Sequence, residues 1–234
     1  MEKAVVCKGV KKHFGKGDAR VMALDGIDLE ARPGELMMLV GPSGSGKTTL
    51  LSVIAGILRR DEGICTVYGQ DLEALGARAQ AQYRGDNIGF VFQSYHLIPT
   101  LTIVENVAIP LMIRGTHRGK AMGRAADVLV DVGLGDRLGA YPRELSGGMQ
   151  QRTAICRALV HEPQLIVCDE PTSALDHETG QKVMELLKER GTGNSRTLIV
   201  VTHDARIFGF ADRVAEMDDG RIVKLHDSPE ELTT

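Results

Sequence analysis

Eight residues, Gly41-Pro42-Ser43-Gly44-Ser45-Gly46-Lys47-Thr48, constrain the fold of this chain more than any other stretch. The apolar run Leu36–Val40 precedes them, and Thr49 opens a helical pattern through Leu50, Leu51, Ile54 and Leu58. Buried strand, glycine-rich turn and helix start, spaced G-x-x-x-x-G-K-T, make a phosphate-binding loop. Glycines at 41, 44 and 46 let backbone N–H groups converge on an anion without obstruction by Cβ atoms. The helix that begins near Lys47 adds the positive end of its dipole. In such a loop Lys47 reaches the β- and γ-phosphates and the Thr48 hydroxyl ligates Mg²⁺. Ser43, Ser45 and Thr49 belong to the same cradle. The fold is therefore α/β, with a nucleotide triphosphate as ligand.

Further acids and amides are expected where other buried strands end, because ligands of open α/β sheets sit at that edge. Leu165–Val167 leads through Cys168 into Asp169-Glu170. Two adjacent acids at a strand end suit Mg²⁺ held by Asp169 and a water polarised by Glu170; a purely structural role is weak, since unpaired buried charge is costly. Asn87–Gln93 reads as a short strand whose Gln93 either satisfies a loop or faces Mg²⁺ and the attacking water. Thr197–Thr202 is a further strand, and His203 at its end is expected to contact the γ-phosphate or water. Leu145-Ser146-Gly147-Gly148 opens a helix; its free N–H groups and hydroxyl suit either an anion or simple capping by Ser146.

Between these elements, Ala4–Val10 and Met22–Ala31 read as antiparallel strands flanking the loop Phe14–Asp18. Phe14 is either a hydrophobic plug beneath that loop or a platform for a base. Ile64–Tyr68 is expected as a strand, with a helix beginning near Leu72 behind Gly69-Gln70-Asp71. Ile103–Ile113 and Lys120–Val132 are helical patterns without a strand between them, an insertion in the α/β core. A helix is expected from His177 to about Arg190, with Val183, Leu186 and Leu187 inward and Glu178–Lys182 as a surface pair. Val214–Met217 and Arg221–Leu225 read as a closing hairpin.

With 28 Lys+Arg against 31 Asp+Glu, the net charge of −3 argues against a nucleic-acid partner. Cys7, Cys65, Cys156 and Cys168 share no metal-ligand spacing and are expected as reduced, partly buried thiols of a cytosolic protein. The N-terminal residues carry no signal-peptide pattern and no run is long enough to span a bilayer, so a role at a membrane requires a partner chain.

Taken together, these segments resemble the ATP-binding-cassette (ABC) ATPases over essentially the whole chain. The parts follow the family's order: loop 41–48, Gln93, Leu-Ser-Gly-Gly at 145–148 with Gln150-Gln151-Arg152 behind it, Asp169-Glu170, Ser-Ala-Leu-Asp at 173–176, and His203. The resemblance implies one cassette: a mixed RecA-like core with an N-terminal antiparallel β part (1–93 and 160–234) and an inserted helical, signature-bearing part (94–159). It implies Phe14, or its neighbour His13, stacking on adenine, Glu170 as catalytic base, and Lys47, Gln93 and His203 beside it. Gln93 and Asp169 join Thr48 at Mg²⁺. It also implies a head-to-tail homodimer with two ATPs, in which Ser146 and Gly148 of one chain grip the γ-phosphate bound by the other, with Gly147 and Asp176 among the nucleotide-binding residues. Met149 departs from the family's usual glutamine.

Gly89–Gln93, Leu97-Ile98-Pro99, Leu101–Val107 and Pro110-Leu111 are similar to the ATPases of macrolide exporters, lipoprotein-release systems and the heterocyst-glycolipid exporter. That similarity implies an energising subunit on the cytoplasmic face of the inner membrane, held there by a permease that contacts Gln93–Leu101. It admits a periplasmic adaptor. A soluble ABC ATPase acting on ribosomes or DNA is the alternative; such proteins usually carry two cassettes or a long coiled-coil insertion, and this chain shows neither. A kinase-type enzyme would replace the Leu-Ser-Gly-Gly element by an acceptor-binding lid.

Overall fold

In the computed structural model of the 234-residue chain, residues 3–15, 17, 20–192 and 196–233 are described. Lys16 and Asp18, in the loop expected after Phe14, lie outside them. Two sheets organise the molecule. The first is antiparallel, with β1 (Val5–Phe14), β2 (Val21–Ala31), β4 (Glu62–Val67) and β5 (Gln70–Asp71) in the order β2-β1-β4-β5. The second contains β3 (Leu36–Val40), β6 (Ile88–Val91), β7 (Leu165–Asp169), β8 (Thr197–Val201), β9 (Arg213–Asp218) and β10 (Arg221–His226) in the order β10-β9-β3-β8-β7-β6. All its neighbours are parallel except the β9–β10 hairpin.

The period-2 pattern of a strand explains the layering. In β3, Met37 and Leu39 face one apolar core while Leu36, Met38 and Val40 face another. β7 divides in the same way, Leu165 and Val167 against Ile166 and Cys168. The first core fills the space between the two sheets around α1 (Lys47–Ile54), through Leu50, Leu51 and Ile54. The second lies on the opposite face, covered by α5 (Gly147–Leu159) and α6 (His177–Gly191). A third core joins α3 (Ile103–Ile113) and α4 (Arg118–Asp131) to the far side of α5. The expected division after residue 159 therefore does not coincide with a packing boundary: α5 serves both neighbours at once, Ile155 and Ala158 inward, Cys156 and Val160 outward.

Several elements differ from the sequence reading. The helix expected near Leu72 is a single 3-10 turn, Leu72–Ala74, because Asp71 caps Glu73 N at 3.0 Å and the chain then extends. The real helix, α2 (Ala77–Asn87), buries no residue, so no apolar stripe announces it. β1 runs on through Phe14, paired with Val21, and β4 begins at Glu62, whose carboxylate bonds Lys11 at 2.8 Å across the pair. β6 ends at Val91, two residues before Gln93. α6 begins at His177 as expected, with Glu178–Lys182 paired at 2.6 Å; Met184 joins Val183 and Leu187 inside, while Leu186 is only partly buried. All four thiols are buried, and Cys7 and Cys65 face each other across β1 and β4 with sulfurs 3.7 Å apart.

His161, just after α5, is buried with Nε2 at 3.3 Å from the Ile88 carbonyl. Burial pushes its pKa from the ordinary 6.5 down to about 4. The unfolded chain takes up this proton near 6.5, whereas the folded chain resists to about 4. Its contribution, of order 2 to 3 kcal/mol, is complete above the unfolded value and lost as pH falls between the two. Urea unfolding at about pH 7 and about pH 4.5 should show a smaller drop in His161→Gln than in the parent chain; equal drops would contradict the assignment.

Candidate functional site

The parallel strands β3, β8, β7 and β6 are consecutive neighbours, so their carboxyl ends deliver the phosphate loop, His203, Asp169-Glu170 and Gln93 to one edge. There a cavity of about 530 Å³ is lined by Ala23, Ser43, Gly44, Gly46, Lys47, Thr48, Thr49, Gln93, Glu170, Val201 and His203. Two glycines of the loop have no alternative. A Cβ at Gly41, where φ is 141°, would stand 2.0 Å from the Met217 carbonyl oxygen. At Gly46, with φ of 96°, it would stand 2.3 Å from that of Ala23.

Lys47 is buried, and its Nζ donates to the carbonyls of Gly41 (2.8 Å) and Pro42 (2.6 Å) and to Ser45 Oγ (3.2 Å). Burial lowers its pKa, opposed by the nearby Glu170 and Asp169 carboxylates. Ser45 is thus a wall of the loop rather than of the cavity. The Thr48 hydroxyl donates to Asp169 Oδ1 at 3.0 Å. Asp169 is buried, and desolvation raises its pKa, with the neighbouring Glu170 charge adding to the rise and Thr48 and Lys47 opposing it. A carboxyl held this way gains from a cation.

Glu170 occupies a left-handed backbone conformation, φ 48°, rare for a side chain of its kind. Its N–H donates to Val201 O at 2.9 Å, and its carbonyl accepts from Ser173 N and Oγ at 3.3 and 3.1 Å, which holds the strained residue. Oε1 lies 2.6 Å from His203 Nδ1. Oε2 is buried without a hydrogen-bond partner among the described residues, an acceptor left open in the residue that lines the cavity. The Glu170 side chain is 11% exposed and that of His203 66%, so the histidine is the outer member of the pair.

Phe14 does not line the cavity. It ends β1 with 46% exposure and Lys12 Nζ 5.8 Å from its ring centroid, so it is not a plug beneath a loop. His13, the other aromatic candidate, is tied to Asp61 through its backbone N–H (2.6 Å) and Nδ1 (3.3 Å). Ser146, Gly147 and Gly148 also stand outside the cavity, at the N-terminus of α5, where Ser146 Oγ accepts from Met149 N at a long 3.4 Å. Asp176 caps α6, its Oδ1 accepting from Thr179 N at 3.0 Å. Sequence reasoning missed Ala23 and Val201, whose small or main-chain surfaces give no chemical signal. It also missed Thr172, whose hydroxyl reaches Asp204 at 3.3 Å beside the acids.

A phosphate loop, a strand-end acid pair and an apposed amide and histidine on one sheet edge define a phosphate-loop NTPase. The ABC transporter family model matches residues 24–173. The lipoprotein-releasing system ATP-binding protein LolD of Pseudomonas syringae is 42% identical over 224 residues, 95% of this chain and 99% of its own length. The macrolide export ATP-binding/permease protein MacB of Nitrosomonas europaea is 46% identical over 217 residues; the chain spans 33% of that longer protein. Among solved structures, a post-hydrolysis dimer of the ATP-binding cassette MJ0796 bound to ADP and Pi superposes with TM-score 0.87 at 37% identity, covering 95% of this chain and 98% of that one. The chain belongs to the ABC transporter family and is its ATP-binding, ATP-hydrolysing cassette. Among the described residues no helix is long and apolar enough to cross a membrane.

Proposed function

We propose that two copies of this cassette close head-to-tail on two ATPs and drive a membrane permease from its cytoplasmic face. One observation carries the reading. Lys47, Thr48, Gln93, Glu170 and His203 meet in one cavity, while Ser146, Gly147 and Gly148 offer free N–H groups and a weakly engaged hydroxyl outside it. A second copy, turned by a two-fold axis, would set that helix end against the nucleotide of the first. The MJ0796 cassette, a dimer with ADP and Pi, supports the arrangement.

In this reading the loop backbone and Lys47 bind the phosphates, and Glu170 takes the proton of the attacking water through its open Oε2. His203 orients Glu170 and faces the γ-phosphate, Gln93 positions the water, and Asp176 faces the partner's nucleotide site. Thr48, Asp169 and Gln93 form an all-oxygen set suited to Mg²⁺, and no three His, Cys, Asp or Glu side chains converge among the described residues. A Mg²⁺ that retains water and phosphate oxygens needs no larger protein cage. When bound it would neutralise charge on the β- and γ-phosphates.

Phe14, exposed where His13 is tied down, is the base platform. Phe14→Ala should weaken ATP binding roughly 5- to 100-fold, with His13→Ala near the parent value, as read by titration with a fluorescent nucleotide. The reverse ranking would move the platform to His13.

Gln93–Leu101 links the cavity to the helical part and supplies the permease contact. Arg157 on α5 grips the Tyr95 and His96 carbonyls at 2.7 and 2.6 Å, and Asn106 on α3 bonds Ile98 N at 2.7 Å, leaving Ile98 41% exposed. Kinship with LolD and MacB favours a permease of export or lipoprotein-release type, with a periplasmic adaptor as a further member. Affinity capture of Glu170→Gln from detergent-solubilised membranes with ATP should recover a few-helix membrane protein with a large extracytoplasmic domain. A many-helix permease would refute the subgroup, and ribosomes or nucleic acid alone would refute the membrane role.

A further inference from the structure

Gln151 is an anomaly of the second core. It is 1% exposed, and neither Nε2 nor Oε1 has a hydrogen-bond partner among the described residues. Its neighbour Gln150 reaches the Leu145 carbonyl at 3.2 Å. Buried amide groups left unpaired are rare and costly, and an apolar side chain of equal size would suit this arrangement better.

Its position on α5 indicates what the amide is for. Gln151 lies four residues after Gly147 and three after Gly148, so the three share one helix face. A Cβ at Gly147 would stand 3.1 Å from the Tyr95 hydroxyl and 3.8 Å from the Ala174 carbonyl; one at Gly148 would stand 2.5 Å from the Thr179 methyl. On the next turns of that face, Ile155 and Ala158 pack in the core with Val91 and Ile166. One turn before Gln151, this face of α5 meets two segments at once: Gln93–Tyr95, through the Tyr95 hydroxyl, and Thr172–Leu175, through the Ala174 carbonyl and the Leu175 side chain. Both are non-regular stretches, rich in backbone N–H and C=O groups.

We propose that Gln151 is a positioning residue: its amide takes backbone partners from Gln93–Tyr95 and Thr172–Leu175 in a second arrangement of α5, the one that the closed ATP dimer adopts. The inference rests on the dimer reading above. A side chain that costs stability in one packing and gains bonds in the other biases the equilibrium between them. It touches no nucleotide, so it acts through Gln93 and the Asp176 segment alone.

Gln151→Leu and Gln151→Met test this, alone and in the Glu170→Gln background. Without nucleotide, both should melt at or a few degrees above the parent temperature, roughly 2 to 4 °C for this chain length. ATP binding to the single cassette should be unchanged. The ATP concentration that half-dimerises the Glu170→Gln chain should rise roughly tenfold, and kcat of the otherwise natural chain should fall by a similar factor while its KM holds. A lower melting temperature with dimerisation untouched would overturn the proposal, showing that the amide is satisfied in the resting fold. Failure of both variants to fold, or a raised melting temperature with unchanged dimerisation and kcat, would overturn it as well. If Glu170→Gln itself stays monomeric with ATP bound, the dimer reading fails first.

Discussion

A Glu170→Gln cassette should bind ATP with parental affinity and hydrolyse it at least ~10²-fold more slowly, the usual range for loss of a general base. The substitution is close to isosteric, so the bond to His203 Nδ1 and the anchoring of the strained backbone by Val201 and Ser173 can persist. What disappears is the basicity of the open Oε2, since an amide does not accept a proton from water at neutral pH. Single-turnover hydrolysis with parallel binding titrations checks this. Parental rates would remove Glu170 from its role; a matching loss of affinity would mean that the side chain serves binding rather than chemistry.

Lys47→Ala should act on the other limb. The Lys47 ammonium is held by two carbonyls and Ser45 Oγ, three neutral acceptors that a phosphate can replace with charged oxygens. Burial already destabilises its charge, which makes an anion an especially favourable partner. Losing a charge-assisted bond of this kind costs about 1.5 to 3 kcal/mol, so ATP affinity should fall roughly 10- to 150-fold. The chain should still fold, because α1 is anchored by Leu50, Leu51 and Ile54 between the sheets. A titration showing parental affinity would contradict the proposed contact with the phosphates.

Much of this site is legible in the sequence because each of its parts sits beside a strong local pattern. The loop 41–48 directly follows five wholly buried apolar residues, Leu36–Val40, and the acids 169–170 follow four, Leu165–Cys168. His203 follows the buried apolar run Leu198–Val201 after one further residue, Thr202. What local pattern leaves open is mutual geometry. Nothing in the residues around Thr48 says that its hydroxyl bonds a carboxylate 121 positions away, nor that Glu170 meets His203 at 2.6 Å. Both follow from the strand order β3-β8-β7, which is decided by packing over the whole sheet. α2 leaves no helical stripe because its apolar residues are three alanines and the partly buried Tyr83, none of them fully buried. Phe14 reads as a loop residue in sequence because the strand pattern fades into Lys11, Lys12 and His13, whose polar side chains find partners in Asp61 and Glu62 across the sheet. Gln151 stands in a run of polar residues after the signature glycines, and only the packed structure reveals that its amide is buried without a partner among the described residues.

If a second copy of the chain completes the nucleotide site, ATP must join two chains into one particle. Sedimentation of Glu170→Gln with and without ATP and Mg²⁺, beside the same chain carrying Ser146→Arg, measures this. ATP should double the mass of the first chain. The second, still binding ATP at its own phosphate loop, should remain single. ATP-saturated Glu170→Gln that stays single at every protein concentration, or a Ser146→Arg chain that pairs equally well, would contradict it.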